Sequence, residues 1–394
     1  MRSFATFRAR VTGLPSRLLL GFLVSCLVAL CAPGMGAAHA QARSPEPLVP
    51  RAAEPSESSA SAQWVRRKWI TVPRVWGRLT VEQLGVVINL DDPYSVEVGE
   101  HYIRARKVPA SQVLRLRLPA KAALDRQEFF ALRRQIDGFF GPRTQALALA
   151  WRQPQAVECH SITGALAMGF DPALCENTCA PSKPSRYVAS ASSNPMRDFG
   201  MRLSMLLAAP DVGQAKALID RGVASDGTLA QPGAAPAHAY FVSTSDAVRS
   251  VRRGLFPPSG PVAGQGIDVH LEQTDALRNV DRVLIYLTGR THVDALESVG
   301  FLPGALADHL TSFGGVIDKP HGQMNVLSWI QAGATATHGT VSEPCAHLEK
   351  FPHPQLLLLF YAQGATAVEA YWKSVAWPRQ SLFVGEPLAA PFAR

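Results

Sequence analysis

Apolar positions along this chain fall into short continuous runs, separated by stretches in which they repeat at helical spacing. Leu84-Gly85-Val86-Val87-Ile88-Asn89-Leu90 is an unbroken run of the kind buried on both faces of a parallel sheet. Ser95 follows as an N-cap for a helix reaching about Arg106, with Val98, Tyr102 and Ala105 on one face and Pro109 as its stop. Val113 to Leu118 supplies the next strand and completes a β-α-β unit. Asp125 with Glu128 forms a capping box before a second helix, whose stripe is Phe129, Leu132, Ile136 and Phe140. Further strands are predicted at Ala146 to Trp151, Arg202 to Leu207, Ala239 to Val242, Val283 to Leu287 and Ser381 to Val384. Helices are predicted at Val212 to Arg221, Asn325 to Ile330 and Ala367 to Val375. This alternation predicts an α/β fold with a mostly parallel sheet flanked by helices. Residues 159–196 lose the pattern and read as an irregular, cysteine-containing excursion from one large domain spanning residues 63–394.

The first residues follow a different rule. Arg2, Arg8, Arg10 and Arg17 precede the apolar run Leu18 to Leu30, and Ala38-His39-Ala40 has the small residues of a cleavage site. Residues 1–40 are therefore expected to be a signal peptide, which implies export to the periplasm or cell surface. The uncharged run from Leu18 is short for a span of ~20 residues, and no later stretch is apolar enough, so no membrane span is expected after cleavage. Residues 41–62 are rich in Pro, Ser, Ala and Glu and are expected to be a disordered linker.

Charge and cysteine content narrow the picture further. The formal charge is +8, and removing the four leader arginines leaves +8 − 4 = +4. The remaining basic residues are scattered rather than gathered in a stripe with aromatics, so nucleic acid is not an expected partner. Of six cysteines, Cys26 and Cys31 fall in the leader, leaving Cys159, Cys175, Cys179 and Cys345. In an exported chain these are expected to form disulfides, and the three possible pairings stay open.

The stretch from Val283 to Cys345 concentrates the groups that do chemistry. Open α/β sheets hold ligands beyond the carboxyl ends of their strands, so the strand-end residues are the candidates. Catalytic candidates are His292, Ser312, His338 and Cys345; binding candidates are Asp91, Asp92, Thr288, Asp294 and Glu343. Cys345 lies between His338 and His347, and a thiolate nucleophile needs such a base, although a disulfide is the competing expectation. Asp91 and Asp92 end the first strand and are expected at the same edge as Asp294 and Glu343, where carboxylates hold cations, although Asp-Asp-Pro is more often a turn and N-cap device. Ser312 lacks the Gly-x-Ser-x-Gly elbow of a hydrolase. Cys159-His160 with Cys175 and Cys179 does not have the Cys-x-x-Cys spacing of a zinc site, and no phosphate-cradling glycine loop is present. Neither a metal nor a cofactor is expected. Asp91, Thr288, His292, Ser312 and His338 are expected along one carboxyl edge.

Three stretches carry a likeness: Asn89-Leu90-Asp91-Asp92-Pro93-Tyr94-Ser95 with Arg106-Lys107-Val108-Pro109, Gly333-Ala334-Thr335 through Pro344, and Glu369-Ala370-Tyr371 with Val384-Gly385-Glu386-Pro387-Leu388. Together they resemble a family of exported bacterial proteins, without an established reaction, found in species that carry an exosortase protein-sorting system. The likeness covers about Leu84 to Phe392. A weaker likeness is to the caspase-like fold of gingipain-type peptidases, whose strands end in His-Gly and Ala-Cys; the matching places here hold Thr288-Gly289-Arg290-Thr291-His292 and Leu310-Thr311-Ser312. Two functional classes follow. One is a non-catalytic binding or accessory factor linked to exosortase-type sorting, with a protein or cell-envelope polymer as partner; the other is a peptidase-like hydrolase using the cluster in 283–345.

Overall fold

A strand that is apolar on both faces needs helices above and below it and a strand on either side, and this chain meets both needs by alternating the two. The computed structural model describes residues 67–318 and 321–394, so the expected leader (residues 1–40) and linker (residues 41–62) lie outside the described residues. In chain order the strands are β1 (Leu84–Asn89), β2 (Val113–Leu116), β3 (Ala123–Leu124), β4 (Ala146–Leu149), β5 (Ala156–Val157), β6 (His160–Ser161), β7 (Leu203–Leu206), β8 (Ala237–Ser243), β9 (Gly260–Val262), β10 (Ile267–Gln273), β11 (Val280–Thr288), β12 (Val299–His309), β13 (Ala336–Thr340) and β14 (Ser381–Gly385). The α-helices are α1 (Pro93–Arg106), α2 (Arg126–Phe139), α3 (Ile162–Met168), α4 (Pro172–Glu176), α5 (Pro195–Phe199), α6 (Val212–Ser225), α7 (Leu327–Ala332), α8 (Pro354–Ala362) and α9 (Ala367–Ser374).

One sheet of eleven strands runs in the order β2-β1-β4-β7-β14-β13-β12-β11-β8-β10-β9, and β3, β5 and β6 form a separate small sheet. Pairing is parallel from β2 to β14 and again from β13 to β10. The β13–β14 pair is antiparallel, as is the edge pair β9–β10. The sheet is thus two parallel blocks running in opposite directions and joined at the β13–β14 seam. This is the expected α/β class, mostly parallel and flanked by helices, with one consequence the strand patterns did not carry: the carboxyl edge of one block is the amino edge of the other. β1 and β2 are neighbours as expected, whereas β11 lies in the opposite block and touches neither.

At the level of elements, α1 begins at Pro93 with Asp92 as its N-cap, its carboxylate accepting from the Tyr94 amide at 3.0 Å. Ser95, expected as the cap, is instead buried, and its hydroxyl accepts from the Asn89 amide at 2.8 Å. Pro93 explains the shift, since its fixed φ suits the first helical position. The capping box of α2 forms as expected between Asp125 and Glu128. The 159–196 stretch is more regular than its composition suggests: it contains β6, α3 and α4, and α3 is buried at every position except Met168. Gly164 lets α3 press on the backbone near β14, because a Cβ there would stand 2.4 Å from the Arg379 carbonyl oxygen. Cys159 is bonded to Cys175 and Cys179 to Cys345, which ties this stretch to the segment after β13. Among the described residues no helix is long and apolar enough to cross a membrane.

Candidate functional site

Strands β11, β12 and β13 end side by side, with Thr288 in register with His309 and Asp308 with His338. Because successive strand residues point to opposite faces, Asp308 and His309 face opposite sides of the sheet. On one side the Asp308 carboxylate accepts from Arg252 Nη2 at 2.6 Å, both groups being buried. The same nitrogen donates to the Thr288 carbonyl at 2.6 Å. Burial pushes the Asp308 carboxyl up, and Arg252 pulls it back. Its other oxygen makes no hydrogen bond and stands 4.0 Å from His338 Nδ1.

His338 lies against the rings of Phe351 and Phe383, and neither ring nitrogen makes a hydrogen bond. Burial, reinforced by Arg252 and His309, holds its pKa well below the ordinary value, with the Lys350 backbone acting weakly the other way. A neutral imidazole sealed in this way does not exchange protons with a ligand in solvent. On the opposite face, His309 Nδ1 accepts from Trp329 Nε1 at 2.9 Å and its Nε2 donates to the Met324 carbonyl at 3.0 Å. Both nitrogens are committed, and burial lowers its pKa to about 4. His309 is a fixed, neutral strut.

The remaining strand-end candidates are also occupied or apart. Cys345 is bonded to Cys179, so it is no nucleophile; the base it needed, His338, is sealed away. Glu343, half-buried, accepts from the Cys345 amide at 2.8 Å. Thr288 is buried with its hydroxyl unpartnered. Ser312 is half-buried, and among the described residues its hydroxyl meets no base; its carbonyl accepts from Thr340 at 2.8 Å. His292 and Asp294 are exposed beyond β11. Asp91 and Asp92 are at the other edge of the sheet, because β1 runs opposite to β11: Asp91 pairs with Arg117 and Asp92 caps α1. The expected single edge holding Asp91 together with Thr288, His292, Ser312 and His338 is therefore corrected by the antiparallel seam. The Cys159 and Cys175 sulfurs lie beside His160 Nδ1, at 3.4 and 3.6 Å, and are bonded to each other rather than free to ligate a metal.

A cleft of about 720 Å³ opens elsewhere, at the amino edge of β8 and β10. Gly266, in the turn before β10, accepts from the Ala237 amide at the start of β8 at 2.9 Å, which fixes this location. Its lining includes Arg74 and Arg78 from the segment before β1, Gln231 from the loop after α6, Gln265 and Arg394, and no acidic side chain. The segment carrying Arg74 and Arg78 is held at spaced points. Ile70 and Val75 amides donate to Gln355 and Gln363 at 2.9 Å, and the Leu79 amide donates to Glu369 at 3.1 Å. Glu369 is buried at the start of α9 and also accepts from the Thr366 hydroxyl at 2.8 Å. Burial raises the pKa of this carboxyl, and these hydrogen bonds offset the effect.

Among the described residues, Arg74, Arg78 and Arg394 form no ion pair, whereas Arg106, Arg202 and Arg252 are each paired with a carboxylate. Trp76 stands between two lining residues and is 71% exposed, with the Arg74 guanidinium 4.3 Å from its ring centre. In sequence, Trp69, Val72, Val75 and Trp76 suggest only an edge segment packed on the main body, with no motif that singles it out as a site. The legible signal was a large aromatic, Trp76, between two arginines, Arg74 and Arg78. No protein-family model, curated protein or solved structure matches the chain.

Proposed function

We propose that this is an exported cell-envelope factor that binds its partner through the arginine-lined cleft and cleaves no bond, in keeping with an accessory role in exosortase-type protein sorting. One observation carries this reading: among the described residues the cleft presents guanidinium groups that form no ion pair, with no nucleophile or general base beside them, while the His, Ser and Cys groups at the strand ends serve structural bonds or stand apart. Cations without an acid–base pair attract and orient anions; they do not supply the proton transfers that hydrolysis needs. The peptidase-like alternative requires a nucleophile within hydrogen-bond reach of a base. Among the described residues its two best candidates, Ser312 and His292, make no such bond.

The test is to treat the purified full chain with fluorophosphonate and with an epoxide-type thiol probe, before and after mild reduction. The proposal predicts no stoichiometric labelling in either state. Labelling at Ser312, abolished by His292→Ala, would establish the hydrolase instead.

A further inference from the structure

From the cleft's composition we infer that its ligand is an anionic polysaccharide, such as a uronate-bearing chain, bound across the amino edge of β8 and β10; this rests on the binding reading above. The cations come first. Among the described residues Arg74 and Arg78 line the cleft without an ion pair, Arg78 Nη1 donating to the Arg394 carbonyl at 3.3 Å, and the planar guanidinium fork matches carboxylate, sulfate and phosphate groups in two-point contacts. Neutral hydrogen bonding comes second. Gln231 and Gln265 line the same space, and each amide both donates and accepts, as sugar hydroxyls do. Gly264 and Gly266, at φ of +71° and +60°, have nothing within 4 Å of where a side chain would begin, which leaves room for a ligand to approach this turn.

Stacking comes third. Trp76, between the lining residues Val75 and Gly77, keeps 71% of its surface in solvent with the Arg74 guanidinium 4.3 Å from its ring centre, and an exposed indole beside a guanidinium offers apolar surface to the C–H side of a pyranose ring. The observations disfavour an acidic peptide. The cleft crosses strand ends and turns rather than running beside a free strand edge, so a peptide cannot add to the sheet there. Of its large apolar lining residues, Val75 and Phe392 are buried and Leu229 is half-buried, so the cleft offers little apolar surface to a peptide side chain.

The test is titration calorimetry of the full chain with oligogalacturonate, dextran sulfate, polyphosphate, neutral maltohexaose and a poly-glutamate peptide, at two salt concentrations. Binding to at least one anionic glycan is expected, weakening as salt rises. Arg74→Ala with Arg78→Ala should weaken it at least tenfold, and Trp76→Ala about tenfold without changing the salt dependence. Arg74→Lys with Arg78→Lys should restore part of the affinity, which a mere folding defect would not allow; unchanged circular dichroism melts serve as the fold control. The uronate and sulfate arms identify which anion of the glycan is read. Tighter binding of poly-glutamate or polyphosphate than of any glycan overturns the inference, as does glycan binding that ignores Arg74, Arg78 and Trp76. If no glycan binds while the same arginine changes still abolish retention on whole envelope material, the ligand class is wrong and the binding reading stands. If those changes also leave retention intact, both fall.

Discussion

Arg252 reaches across the end of β11 to Asp308, and the pair shows how this sheet handles charge that it cannot expose. Removing one member of a buried pair leaves the other desolvated and unpaired, which costs far more than the pair contributes. Asp308→Ala is expected to lower unfolding free energy by about 3–5 kcal/mol in urea titrations. His338→Phe should change it by less than about 1.5 kcal/mol, because the imidazole already lies among aromatic rings and makes no hydrogen bond. Equal, large losses in both variants would show that His338 and Asp308 work as a bonded unit.

The buried imidazoles also set a pH dependence. His160 and His309 are lowered to about 4, and His338 is also held well below its ordinary value, in each case chiefly by burial. For a group depressed in the folded state, the unfolded chain binds the extra proton first, so stability falls as pH drops below the unfolded value of 6.5. Between pH 6.5 and about 4, His309 alone is expected to remove stability at about 1.4 kcal/mol per unit. Urea midpoints measured across that window should decline steadily. A flat profile from pH 7 to 4.5 would contradict the buried, neutral assignment.

Among the elements, β1, α2 and the continuous strands were legible because burial on both faces and a capping box leave strong local patterns. α3 was not: Ile162-Thr163-Gly164-Ala165-Leu166-Ala167 is apolar all round, so no helical period shows, and the helix exists because β7 and β14 receive it. The disulfides were expected, but their pairing was not readable, because only folding brings Cys345 to Cys179. Bridging residues that are 166 apart constrains the unfolded chain more than bridging residues 16 apart. Cys179→Ser with Cys345→Ser should therefore cost about 5 kcal/mol, and Cys159→Ser with Cys175→Ser about 3 kcal/mol, in denaturant titrations. The reverse ranking would show that strain or residual structure outweighs loop length.

At the scale of the whole molecule, the α/β class was legible and the strand directions were not. A strand buried on both faces reads the same whichever way it runs, and β14 returns beside β13 only after α8 and α9. That antiparallel seam puts Asp91 and Asp92 at the edge opposite Thr288, and burial separates Thr288 and His338 from the exposed His292 and the half-buried Ser312, so the expected cleft of catalytic groups does not form. The concavity that is present draws on residues from Arg74 to Arg394, a constellation that no local motif announces.

The central claim is that function resides in this cleft and not at the strand ends. Its most direct test is retention of the full chain on purified cell-envelope material, comparing the unaltered protein with Arg74→Glu/Arg78→Glu and with His292→Ala/Ser312→Ala. The account predicts that reversing the two cleft charges lowers retention at least tenfold, while the strand-end variant is retained like the unaltered protein. Retention that survives the charge reversal and disappears in the strand-end variant would contradict it.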